Sequence, residues 1–196
     1  IAVYLTGHSS PSKNMKTGSC AQSWILSLRD TPVKVVAAGT DSDVCGRCIH
    51  RQSPRTCYVS VFRAPQQVHR AHAMRFPSNP TINPFIKSLR LGAYGDPAAV
   101  PFEVWRDLTG MFQSWTGYTH AWRDCDQRLR RYCMASCETQ AEALEAQSMG
   151  WRTFRVASAS AELLTHEMRC PASKEQGYLV QCVQCLACNG TTSHRP

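Results

Sequence analysis

The stretch Ser88-Leu89-Arg90-Leu91-Gly92-Ala93-Tyr94-Gly95-Asp96-Pro97, followed by a helix opening at Pro101, decides the fold class. Its first seven residues read as a strand, and Gly95-Asp96-Pro97 ends it because these residues favour turns. Proline suits the first turn of a helix. Val104, Leu108, Met111 and Phe112 then fall at spacings of four, three and one, an apolar stripe along one helical face. A strand, a turn and a helix in immediate succession make a βα unit.

The same alternation extends both ways. Upstream, Cys57-Tyr58-Val59-Ser60-Val61-Phe62 is rich in β-branched and aromatic residues and reads as a strand. Pro65 opens a helix that Gln66 to Arg75 can continue, and Pro77, Pro80 and Pro84 break the pattern. Downstream, Gly117-Tyr118-Thr119-His120 and the segment from Arg131 to Ser136 read as strands. Thr139 starts a helix with Glu142 three residues on as a capping box, Gly150 stops it, and Trp151 to Val156 is a further strand. The first 50 residues are less regular: Ser9 to Ser19 is turn-rich, and Trp24 to Leu28 fits a strand or a short helix. Parallel strands need crossovers, which the helices supply. The expected fold is therefore α/β, a compact or partial parallel (β/α) barrel, since eight full units need about 250 residues. Residues 1–169 form the barrel-like domain, and 170–196 form a tail with little periodicity that a metal would organise.

Cysteine is the chemical signal. Of eleven cysteines, three form Cys45-x2-Cys48-x8-Cys57 and four form Cys170-x11-Cys182-x2-Cys185-x2-Cys188. Such C-x2-C pairs point to metal or iron–sulfur ligation rather than to a secreted disulfide framework, and hence to a reducing cytoplasm. Three ligands leave a position open on a metal, whereas four fill a tetrahedral site. The quartet fits the wrapping loop of a cubane cluster, with four-sulfur zinc as the alternative. The trio fits a three-cysteine cluster with one open iron, with zinc completed by His50 or another histidine as the rival. Cys20, Cys125, Cys133 and Cys137 stand apart and read as core residues.

Composition adds bounds. Net charge is +8, from 22 basic and 14 acidic residues, which admits a nucleic-acid or nucleotide partner; the only dense basic run is Arg123 to Arg131. No stretch approaches the roughly 20 apolar residues of a membrane span, so no membrane role is expected. The opening Ile1-Ala2-Val3-Tyr4-Leu5 carries no basic region followed by a long apolar run, so no secretory signal is expected. His69 and His72 sit three apart on an expected helix and read as a solvent-facing pair. His120 lies at an expected strand end, where parallel α/β sheets house their sites.

A resemblance gathers these features. Three clustered cysteines, the last followed by Tyr58, resemble the cluster loop of the radical S-adenosylmethionine enzymes, although the family's usual spacing is Cys-x3-Cys-x2-Cys. Gly95-Asp96-Pro97 resembles the segment that contacts the cofactor's amino group there. Met134-Ala135-Ser136, with the helix after it and Gly150-Trp151, resembles the family's fourth strand and helix, and the quartet resembles an auxiliary cluster. The resemblance implies one or two 4Fe-4S clusters, on Cys45, Cys48 and Cys57 and on Cys170, Cys182, Cys185 and Cys188. It also implies S-adenosylmethionine as cofactor, met by Tyr58, Gly95, Asp96 and Pro97, with Asp96 receiving its ammonium as a catalytic residue; His120 joins it as a catalytic candidate on its strand-end position. The chain is similar as well to uncharacterised phage and plasmid proteins that share Lys16-Thr17-Gly18, the Leu91 to Pro97 segment and a cysteine-rich tail. The expected function is thus an iron–sulfur enzyme acting on a nucleotide or nucleic-acid-linked substrate. The alternatives are a zinc-stabilised module that binds nucleic acid or a host or phage protein, and an iron–sulfur redox sensor or electron carrier.

Overall fold

The computed structural model describes residues 1–72 and 80–190. Its strands are β1 (Ala2–Thr6), β2 (Ala21–Leu26), β3 (Ser88–Tyr94), β4 (Ser114–Thr116), β5 (Tyr118–Thr119), β6 (Met134–Cys137) and β7 (Thr153–Arg155). Its helices are α1 (Pro32–Ala37), α2 (Ser42–Cys45), α3 (Ala64–His72), α4 (Phe102–Thr109), α5 (Gln140–Ser148) and α6 (Cys182–Cys185). The molecule is α/β with parallel strands, as the alternation of elements predicts.

The strands form two sheets, ordered β1-β2-β3-β4 and β5-β6-β7. Every pairing is parallel except β1 with β2. Among the described residues the sheets do not close into a barrel. They meet at Gly117, which separates β4 from β5 and whose carbonyl accepts Met134 N–H at 2.9 Å. A Cβ there would lie 2.9 Å from both Cys133 Sγ and Leu91 Cβ, so only glycine lets the sheets approach this closely.

β3 has the expected bounds. Leu89, Leu91 and Ala93 are buried on one face and alternate with half-buried Ser88, Arg90 and Gly92. Its ladder with β2 shifts register between Gln22 and Trp24, and Ser23 fills the gap: its Oγ accepts Gly92 N–H at 2.9 Å and donates to Arg90 O at 3.2 Å. Beyond the strand, Gly95 has φ +85°, and a Cβ would meet Ile25 Cβ at 2.6 Å and Val44 Cγ1 at 2.9 Å. The turn after β3 therefore lies directly against the helix that carries Cys45.

Several expectations need correction. Residues 57–62 form no strand: they are bends and turns leading into α3. β-Branched composition needs a neighbouring edge to become a strand, and here Cys57 N–H goes to His50 O and Gln66 N–H to Val61 O. Trp24 belongs to β2, and the opening residues add the antiparallel strand β1, so the N-terminal region extends the sheet. The stripe on α4 is centred on Trp105, wholly buried with its Nε1 on Pro97 O at 2.8 Å, whereas Met111 is exposed. The continuation of α3 to Arg75, the break at Pro77 and residues 191–196 of the tail lie outside the described residues. Thr139 caps α5 as expected, its Oγ1 accepting Glu142 N–H, but the Glu142 carboxylate takes Glu138 N–H at 2.8 Å rather than that of Thr139. No helix among the described residues is long and apolar enough to cross a membrane.

Candidate functional site at the strand ends

The loop after β2 carries the cysteine trio. α2 ends at Cys45, Gly46 turns the chain at φ +54°, and Cys48 N–H returns to Cys45 O at 3.1 Å. The Cys57 N–H to His50 O bond then folds the third cysteine back. Burial pushes the Cys45 thiol up to about 12, and the charges of Asp41, Cys48 and Cys57 add to it. Cys48 is raised chiefly by burial, then by the Asp96 and Cys57 charges. The negative charges of the trio and of Asp96 thus disfavour ionisation of these thiols together. Beneath the loop lies buried Asp41. Its Oδ1 accepts from Arg51 Nε at 3.0 Å and Nη2 at 2.8 Å, and its Oδ2 accepts from Arg55 Nη1 at 2.7 Å. Arg55 Nε and Nη2 are buried with no protein partner.

The Gly95-Asp96-Pro97 turn joins this loop to the next strands. Asp96 N–H donates to Val44 O at 2.9 Å, its Oδ1 accepts Ala98 N–H at 2.9 Å, and its Oδ2 accepts His120 N–H at 2.9 Å. His120 follows β5 and Glu138 follows β6, so residues after β3, β5 and β6 converge with the loop after β2. His50 Nε2 lies 3.0 Å from Glu138 Oε1, and His50 Nδ1 lies 2.7 Å from Thr56 Oγ1. His120 Nε2 lies 3.6 Å from Glu138 Oε1 and is buried without a hydrogen-bond partner. Burial lowers the His120 imidazole below its ordinary value, partly opposed by the Asp96 carboxylate.

The quartet lies at the opposite ends of the strands. Cys182 N–H donates to Lys16 O at 2.8 Å, before β2 begins. Gly190 N–H donates to Trp115 O at 2.8 Å, and Asn189 Oδ1 accepts Trp115 N–H at 3.2 Å, both on β4. Cys188 is raised by burial and lowered by a hydrogen bond from Tyr118, the first residue of β5; the charges of Cys170 and Cys185 raise it further. The tail thus packs on the N-terminal side of the strands, and the trio sits beyond their C-terminal ends.

Of the predicted site residues, the cysteine-trio loop, Gly95, Asp96, Pro97 and His120 lie at one end of the strands, and the segment with Cys182, Cys185 and Cys188 packs at the other, with the Cys170 charge acting on Cys188. Tyr58 turns outward: its ring is exposed, and its hydroxyl accepts from Arg90 Nη2 at 2.6 Å. The basic run is largely paired. Arg123 stacks on Trp122 at 3.9 Å and bonds Glu145 at 2.6 and 2.8 Å. Arg128 stacks on Phe102 at 4.2 Å and bonds Asp126 and Glu103. His69 and His72 are not the expected solvent-facing pair: the His72 ring stacks on Tyr4 at 5.1 Å, and His69 lines a hollow with Tyr4. Sequence reasoning missed Glu138, Thr56 and the partnering of Asp41 with Arg55. Glu138 was within reach, since it directly follows β6 just as His120 follows β5.

Among the described residues, His50, His120 and Glu138 are the one group whose ligand atoms all lie within 4.8 Å of one another; neither cysteine set is drawn that tight. Around a single zinc, bonded sulfurs would sit about 3.8 Å apart, from a Zn–S bond of about 2.3 Å. No family model matches the chain, and no curated protein or solved structure matches it.

Proposed function

We propose that this chain is an iron–sulfur enzyme related to the radical S-adenosylmethionine family, with its two sheets as the halves of a partial parallel (β/α) barrel cornered at Gly117. One observation carries the reading: the three-cysteine loop after β2 is bonded, through Val44 O and Asp96 N–H, to the Gly95-Asp96-Pro97 turn that ends β3. Catalytic residues of parallel α/β folds gather at this end of the strands.

The donor set fits an anionic cluster. Three thiols share one loop, spread wider than a single ion requires, and two buried guanidinium donors of Arg55 lack an acceptor beside them. A buried N–H without a partner is costly, and cluster sulfur or a cofactor carboxylate would supply one. When bound, such a cluster supplies an electron and an open iron for the amino-acid end of S-adenosylmethionine.

The chain's own residues would position and shield. Asp96 engages both carboxylate oxygens with backbone N–H groups, so it acts as a positioning residue that sets where His120 stands. Arg55, held on Asp41, would turn its remaining donors to a bound anion. Val44 and Ile25, packed against Gly95, close the floor of the site to water. A nucleotide-type substrate is proposed on net charge alone, because Arg123 and Arg128 are occupied by carboxylates. The quartet is proposed as a second cluster that fastens the tail, and thiolate ligation of this kind would suit a reducing compartment such as the cytoplasm.

Anaerobic iron and sulfide analysis of the purified chain tests this. Brown protein is expected, with iron near four or eight per chain, a spectrum that changes on adding S-adenosylmethionine, and loss of that response in Cys57→Ala. Colourless protein holding stoichiometric zinc would overturn it.

A further inference from the structure

His50, His120 and Glu138 reach the same point from three elements: the cysteine loop, the end of β5 and the end of β6. We propose that they form a mononuclear site for a divalent metal ion of the zinc or ferrous-iron type, separate from both cysteine sets.

The distances suit ligands of one ion. Metal–nitrogen and metal–oxygen bonds of about 2.0–2.2 Å place two donors about 2.9 Å apart at a right angle and ~3.4 Å apart in a tetrahedron. Glu138 Oε1 stands 3.0 Å from His50 Nε2 and 3.6 Å from His120 Nε2. A plain His50–Glu138 ion pair explains only half of this. It leaves His120 Nε2 buried without a hydrogen bond, 3.6 Å from a Glu138 oxygen that is already bonded to His50. A shared metal ion gives that nitrogen its partner.

The surroundings are those of a ligand set. Metal-bound histidines characteristically engage their second nitrogen, which fixes the ring. His50 Nδ1 meets this on Thr56 Oγ1 at 2.7 Å; Asp96 Oδ2, 4.0 Å from His120 Nδ1, is too far to bond that nitrogen and fixes the residue through its backbone N–H instead. Two imidazoles and one carboxylate suit borderline divalent ions and leave coordination positions open. The three side chains remain 22%, 26% and 23% exposed, so a ligand from solution can fill those positions.

The site does not rest on the iron–sulfur reading, and cobalt(II) tests it independently. Chelator-treated full-length protein is titrated anaerobically with Co2+, alongside Glu138→Gln, His120→Asn and a variant with Cys45, Cys48 and Cys57 all changed to Ser; circular dichroism checks each fold. Besides any cobalt taken by the cysteine sets, one equivalent should bind with visible ligand-field absorption that lacks thiolate charge transfer. That component should survive in the triple serine variant and weaken at least about tenfold in Glu138→Gln and His120→Asn. If His120→Asn does not fold, the isosteric Glu138→Gln decides. Cobalt absorption that is entirely thiolate-based, or unchanged by Glu138→Gln, overturns the proposal. Iron and sulfide content is a separate measurement, so either proposal can fail alone.

Discussion

Asp96 Oδ2 accepts the backbone N–H of His120 at 2.9 Å, which ties the end of β3 to the end of β5 across the junction of the two sheets. The same residue binds Ala98 through Oδ1 and Val44 through its own N–H. One buried residue therefore ties three parts together: its carboxylate holds the turn after β3 and a histidine of the candidate metal site, and its backbone N–H holds the cysteine loop.

Asp96→Ala should destabilise the protein by about 2–4 kcal/mol, since two N–H groups lose a charged acceptor. Urea unfolding would measure this. A loss under about 1 kcal/mol would mean that these bonds contribute little beyond what water replaces.

Gly117→Ala should cost about 1–3 kcal/mol through overpacking. The added methyl would stand 2.9 Å from Cys133 Sγ and Leu91 Cβ, both on buried residues with little room to yield. Thermal unfolding would show a lowered Tm, and Gly117→Val should lower it further.

Gly18→Val should loosen the tail without unfolding the rest. Gly18 has φ +68°, and a Cβ would meet Gln181 Oε1 at 2.5 Å and Val183 Cγ2 at 2.7 Å. Limited trypsin digestion should cut several-fold faster at Arg169 and Lys174, with cleavage elsewhere unchanged.

Glu167 should give an acid-dependent contribution. Its hydrogen bonds from Arg155, at 2.8 and 2.6 Å, hold the carboxyl below its ordinary 4.5, helped by Leu164 N–H. The folded state thus binds the proton more weakly than the unfolded chain. The stabilisation is present above pH 4.5 and fades as pH falls through and below that value. Glu167→Gln should cost about 1 kcal/mol at neutral pH. Denaturant unfolding of both proteins down to about pH 3 should show that difference shrinking.

Local rules carried the sequence reading where the evidence for an element is local. Ser88 to Tyr94 alternates and ends in turn residues; Thr139 caps its own helix; Gly150 has φ +80° and stops it. The same rules failed for residues 57–62. Their composition suits a strand, but a strand also needs an edge to pair with, and the chain there turns back on His50 instead. On α4 the periodicity found the helix but not its buried centre, because Trp105 is chosen by the Pro97 carbonyl it bonds.

The grouping of cysteines into a trio and a quartet was legible because it is a matter of spacing along the chain, and that spacing raises the expectation of metal. His50 and Glu138 were not legible as neighbours, since 88 residues separate them and nothing along the chain reports on that distance. The sequence by itself determined the alternation of strand and helix, the turn after β3 and the grouping of thiols into three and four, all properties of contiguous residues. Only the tertiary structure decided that the trio and the quartet stand at opposite ends of the strands, and that two histidines and a glutamate meet beside the trio. Parallel strands impose this: each crossover returns the chain to the same end, so residues far apart in sequence collect where the strands stop.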